Sequence, residues 1–99
     1  MWFSIVCEDG DNSLPLRKQN RAAHLARLES LKQSGRLLVA GPNPAIAATD
    51  PGDSGFTGSI IIAQFSSQED AQAWADDDPY LAAGVYTSVT VKPFKKVLP

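Results

Sequence analysis

The chain has 99 residues, 43% hydrophobic and 20% charged, with a formal net charge of −2. That is enough for one core, so residues 1–99 are expected to form a single domain, with a homodimer supplying the second wall that a roomy site in so short a chain needs. The lone cysteine excludes a disulfide framework and a four-thiolate metal site, the scattered basic residues exclude the footprint of a nucleic-acid binder, and no apolar run reaches the ~20 residues of a membrane span.

Residues 2–7 are aromatic and β-branched and read as a first strand. Its two faces are Trp2, Ser4, Val6 and Phe3, Ile5, Cys7. The second face is wholly apolar, and Cys7 reads as a small hydrophobe within it. Residues 8–15 carry Gly10, Asn12, Ser13 and Pro15 among acidic residues and form a loop. A helix over residues 16–34 follows, stopped by Gly35.

That helix organises the chain. At ~100° per residue, Arg17, Arg21, His24, Leu28 and Leu31 follow one another down one side. The line changes from leucine to titratable groups halfway along, which suggests a pocket at one end of the core. A plainer reading stands beside it: the arginines snorkel, and the histidine is a hydrogen-bonded core residue.

Residues 37–40 form a short second strand that Gly41 and Pro42 end, leaving space there. Residues 43–55, rich in alanine, proline and glycine, make a long connection placed where a lid would lie. Residues 58–65 are the most strand-like segment and are expected to be central. Ser66 and Ser67 offer N-caps, with Glu69 completing a capping box for Ser66, and a second helix spans residues 68–75 with Ala71 and Trp74 inward. In the run Asp76, Asp77, Asp78, Pro79, the third aspartate suits the N-cap of a short turn with proline first. Residues 85–91 alternate as a last strand that Pro93 ends.

The order is βαββαβ. Two interleaved β-α-β crossings give an α+β, ferredoxin-like fold: a four-stranded antiparallel sheet with two helices on one face. The strands are apolar on both sides, so the bare face calls for a partner sheet. With no basic start and apolar h-region of a signal peptide, a cytoplasmic location is expected, without membrane or nucleic-acid partners.

Several short pieces, in order, resemble the YCII-related domain family of YciI-like proteins. They are Arg21-Ala22-Ala23-His24-Leu25, Gly35-Arg36-Leu37-Leu38 with Gly41-Pro42, Gly58-Ser59, and Asp78-Pro79-Tyr80 followed by Ala83-Gly84-Val85. The resemblance implies a dimeric α+β barrel, in which two ferredoxin-like sheets pack face to face. It also implies an active site built on a histidine and an aspartate, which carry over to His24 and Asp78. A relative is a dehydrochlorinase on a chlorinated hydroxyquinol, and the wider superfamily includes muconolactone isomerases and haem-binding enzymes.

A histidine held by a carboxylate suits proton transfer, because the carboxylate sets the tautomer and stabilises the imidazolium. Arg17 or Arg21 would hold a carboxylate or enolate oxygen, with Gly41, Pro42 and Tyr80 completing a substrate site. Nothing places Cys7 or Ser4 beside His24 as a nucleophile. The leading expectation is a cofactor-independent lyase, isomerase or dehydrochlorinase-like enzyme acting on a small anionic molecule. A non-catalytic small-ligand-binding module is the alternative, and His24 as an axial haem ligand is a weaker third reading. One histidine with scattered carboxylates makes a poor zinc site, so no metal is expected.

Overall fold

A stripe of Phe3, Ile5 and Cys7 on one strand meets Ile61 and Ala63 on its neighbour, and all five are buried. They lie in a computed structural model that describes all 99 residues. Strand β1 (Trp2–Asp9) pairs antiparallel with β3 (Phe56–Gln64) and with β4 (Tyr86–Phe94), placing Ile5 opposite both Ile61 and Val91. Strand β2 (Leu37–Pro44) adds to the far side of β3, so the sheet order is β2-β3-β1-β4. The ferredoxin-like βαββαβ order is thus observed, with β3 in the interior of the sheet.

Helix α1 (Leu14–Gln33) turns Arg17, His24, Leu28 and Leu31 inward, while α2 (Gln68–Asp76) buries Ala71 and Ala75. A third, one-turn helix α3 (Pro79–Ala82) links α2 to β4 and buries Tyr80. The opposite face of the sheet stays open: Val6 and Ile60 are each 40% exposed.

Several boundaries differ from the sequence expectation. Helix α1 begins two residues early and takes Pro15 into its first turn, where the N–H that proline lacks has no intrahelical partner anyway. It ends as expected: Gly35 has φ +72°, and Arg36 N–H donates to the Leu31 carbonyl oxygen at 2.9 Å. Strand β2 does not stop at Gly41-Pro42 but runs on to Pro44, and β4 runs through Pro93 to Phe94. Both are edge strands, where a missing N–H need not break a ladder.

The α2 cap is Ser67, whose hydroxyl accepts from Asp70 N–H at 3.1 Å, rather than Ser66 with Glu69. Trp74 is only half-buried: it packs against the core beside Phe65, with ring centroids 5.7 Å apart, and carries Arg27 4.3 Å from its ring. The connection after β2 is tied down rather than free. Ala45 N–H donates to the Gly55 carbonyl at 2.9 Å, and Gly52–Ser54 form a 3-10 turn.

Candidate active site

His24 reaches the core from the middle of α1, and Asp78 meets it from the N-cap of α3. The ring Nδ1 lies 2.9 Å from one carboxylate oxygen of Asp78 and 3.0 Å from the other. Both side chains are almost wholly buried, 8% and 4% exposed. An ionised carboxylate only accepts, so Nδ1 carries the proton in this contact, and in the neutral imidazole Nε2 then keeps its lone pair. Asp78 has a second task that the sequence made legible: its Oδ1 accepts Tyr80 N–H at 2.9 Å, capping α3. The Tyr80 ring stacks on His24, with centroids 4.0 Å apart and planes 7° from parallel. Carboxylate and stacked ring together fix the imidazole in two planes.

A second buried pair lies beside the first. Asp9 accepts from Arg17 Nε at 2.7 Å and from Arg17 Nη2 at 2.8 Å, a forked contact, and its side chain is 1% exposed. Ser13 donates to the same carboxylate at 2.6 Å. Arg17 Nη2 also donates to the Gly58 carbonyl and to Ser59 Oγ, at 2.9 and 3.0 Å. Burial alone would depress the Arg17 guanidinium; the hydrogen bonds and charge of Asp9 outweigh it and hold it firmly protonated. The snorkelling reading therefore does not describe Arg17. It fits Arg21, which is exposed.

Asp9 was missed from the sequence because residues 8–15 read as loop. A signal was present: carrying the alternation of Phe3, Ile5 and Cys7 two residues further puts Asp9 on the same inward face. The register of β1 against β4 shifts between Glu8 and Asp9. Ser59, which alternation places inward from β3, and Lys18, which adjoins Arg17 on α1, were not singled out either.

A cavity of about 250 Å³ opens between α1 and the β2 and β3 side of the sheet. Of the residues proposed from sequence, Arg17, Arg21, His24, Gly41, Pro42 and Tyr80 all line it. Asp78 does not, since it stands behind His24. Lys18, Phe56 and Ser59 complete its polar and aromatic wall. None of residues 43–55 lines the cavity, although Gly55 packs against Leu14, which does. The Arg17 guanidinium carbon sits 5.1 to 5.8 Å from the ring centres of Phe56, Tyr80 and Tyr86. Burial pushes the Tyr80 phenol up, against the opposing pull of Arg17 and Arg21, and its hydroxyl donates to the Arg17 carbonyl at 3.3 Å. The Tyr86 hydroxyl, also pushed up by burial, has Ser59 and Cys7 as neighbours but no hydrogen bond with either.

Neither candidate nucleophile serves the cavity. Ser4 is on the opposite side of the sheet, its hydroxyl 3.5 Å from the Lys92 carbonyl. Cys7 is buried, and burial first, then the Asp78 charge, push its thiol from 9.0 up to about 12. The folded state thus keeps a proton that the unfolded chain releases, so stability falls as pH rises from about 9 towards 12. Denaturant titrations at pH 8 and at about pH 10.5 should show a loss to which Cys7 contributes about 2 kcal/mol, beside the buried tyrosines, and which shrinks by that amount in Cys7→Ala. An equal loss in the variant would exclude Cys7 as its source.

The residues at this site can accept and return a proton at Nε2 and donate hydrogen bonds to an oxygen, and the structure has no cluster of three or more His, Cys, Asp or Glu suited to a metal ion. No helix is long and apolar enough to cross a membrane.

Comparison with known proteins adds context to this geometry. The YCII-related domain profile matches residues 1–95. Protein YciI of Escherichia coli O6:H1 is 60% identical over 97 residues, which cover 98% of this chain and 99% of that protein. Among solved structures, the 5-chloro-2-hydroxyhydroquinone dehydrochlorinase TftG of Burkholderia phenoliruptrix, in complex with 2,5-dihydroxybenzoquinone, superposes with a TM-score of 0.82. It is 36% identical, and the match covers 96% of this chain and 94% of that one. A mutant of MhuD with two manganese protoporphyrin IX molecules per active site matches 100% of this chain and 97% of its own, at 21% identity and a TM-score of 0.50. That likeness concerns the fold alone. The fold is the ferredoxin-like α+β class that the sequence implied, a four-stranded antiparallel sheet with helices on one face, and these structural neighbours are dimeric α+β barrel proteins.

Proposed function

The chain belongs to the YCII-related domain family, and on that premise we propose that it is a cofactor-independent enzyme using His24 and Asp78 for general acid–base chemistry on a small anionic molecule. One observation carries this reading. Asp78 takes up Nδ1 at 2.9 Å while His24 lines the cavity, so the basic nitrogen is the one left for a ligand. In an elimination of the dehydrochlorinase kind, Nε2 removes the substrate proton, the freed electron pair forms the new double bond, and chloride departs with the pair of the broken C–Cl bond. In an isomerisation the same nitrogen returns the proton at another atom. Asp78 stabilises the imidazolium between the two events, and Arg17 Nη1, which makes no hydrogen bond within the chain, donates to the developing oxyanion.

A cavity of about 250 Å³ lies below the ~300–1,000 Å³ of drug-sized sites, which favours a single-ring molecule over a macrocycle such as haem. The second reading, a binding module, draws on Asp78 as a helix cap and on the His24–Tyr80 stack, both structural roles sufficient in themselves. Chloride release from 5-chloro-2-hydroxyhydroquinone separates the two. His24→Ala is expected to lower it by roughly 10²–10⁴-fold with an unchanged circular dichroism spectrum. Undiminished release by the variant would end the acid–base reading. Tight binding of 2,5-dihydroxybenzoquinone by a wild-type protein that releases no chloride would favour the binding module.

A further inference from the structure

We propose that the natural occupant of the cavity is a single-ring molecule bearing a carboxylate, which Lys18 and Arg21 hold at the mouth while its uncharged, reacting end lies against His24 on the floor. This rests on the reading of the cavity as a small-molecule site and adds the chemical class and direction of its occupant. Two kinds of basic group line the cavity. Arg17 and His24 are buried, and each is backed by a carboxylate, Asp9 at 2.7 Å and Asp78 at 2.9 Å. Lys18 and Arg21 are exposed, and neither forms an ion pair; the remaining pair in the molecule is Lys32 with Glu29. No carboxylate lines the cavity itself.

With the imidazole neutral, the floor therefore holds one cation against two carboxylates, while the mouth holds two unpaired cations. A ligand carboxylate driven to the floor would leave water and lie one side chain away from Asp9 and Asp78, whose charges repel it. At the mouth it stays partly solvated, meets two unpaired cations and gains charge-assisted hydrogen bonds. The spacing fits one ring. At ~1.5 Å per residue, Arg21 is ~4.5 Å and Lys18 ~9 Å from His24 along the helix axis.

The test compares 4-hydroxybenzoate with 4-hydroxybenzamide, which share ring and hydroxyl and differ in the charge. Binding is read from the NMR signal of the imidazole, unambiguous because His24 is the only histidine in the sequence. The acid is expected to bind wild type about tenfold more tightly than the amide, as two partly exposed charge-assisted contacts allow. Raising the salt should shrink that advantage. The Lys18→Gln/Arg21→Gln variant should abolish it while leaving the affinity for the amide unchanged, which also reports an intact cavity. Equal binding of acid and amide by wild type, a preference kept by the variant, or an imidazole signal moved by neither ligand would each overturn the proposal. These readouts concern binding alone. An acid preference with no turnover of any kind sinks the acid–base reading and leaves this one standing; turnover without an acid preference does the reverse.

Discussion

Asp9→Ala is expected to cost about 3–5 kcal/mol, because it leaves the Arg17 guanidinium buried without its counter-charge. At roughly 4–8 °C per kcal/mol for a domain of this size, the melting temperature should fall by about 12 °C or more. Two hydrogen bonds from Arg17, at 2.7 and 2.8 Å, and one from Ser13, at 2.6 Å, lose their acceptor at once. The pair itself need not be stabilising, since an ion pair taken from water recovers its desolvation only through good geometry. Asp9→Leu/Arg17→Met, which removes both charges and fills the space, should therefore fall much closer to wild type than either Asp9→Ala or Arg17→Ala. Thermal unfolding of the four proteins decides the matter. A loss below about 1 kcal/mol in Asp9→Ala would mean that water entering from the cavity solvates Arg17 in place of Asp9.

Asp78→Asn is expected to abolish turnover while sparing the fold. The asparagine amide can donate to Nδ1, which puts the ring proton on Nε2 and removes the base from the cavity. The neutral amide also fails to stabilise an imidazolium. The equivalent change in a serine-protease triad lowers kcat about 10⁴-fold, and a similar order applies here. Asparagine caps a helix as well as aspartate does, so α3 keeps its start at Tyr80 N–H. Asp78→Ala should be equally inactive and less stable by about 2–3 kcal/mol, from the lost cap and an unpaired buried Nδ1–H. Turnover and melting temperature measured on both variants separate the two roles. Wild-type kcat in Asp78→Asn would remove the aspartate from the chemistry, whatever its effect on stability.

Much of the fold was legible because its signals are short-range. Aromatic and β-branched composition marked β1 and β3, alternation marked β4, helical spacing marked α1, Gly35 marked its end, and Asp78-Pro79 marked a cap. Where sequence reading erred, distant partners decided. Prolines 42 and 93 looked like strand ends, yet both strands lie at sheet edges and pass through them. Ser66 had the capping-box spacing to Glu69, yet backbone geometry chose Ser67 as the cap.

By itself, the sequence determined the order of elements, the inward line of α1 with its change from leucine to basic groups, and the local cap at Asp78. Those depend on residues within a few positions of one another. Only the tertiary structure decided that Asp78 meets His24 across 54 positions, that Asp9 neutralises Arg17, and that Arg21 stays at the surface although it shares their stripe. Such pairings depend on how β1, α1 and α3 are set against each other, and packing sets that for the whole core at once. The division between a floor whose cations are backed by carboxylates and two free cations at the mouth exists only in the folded chain.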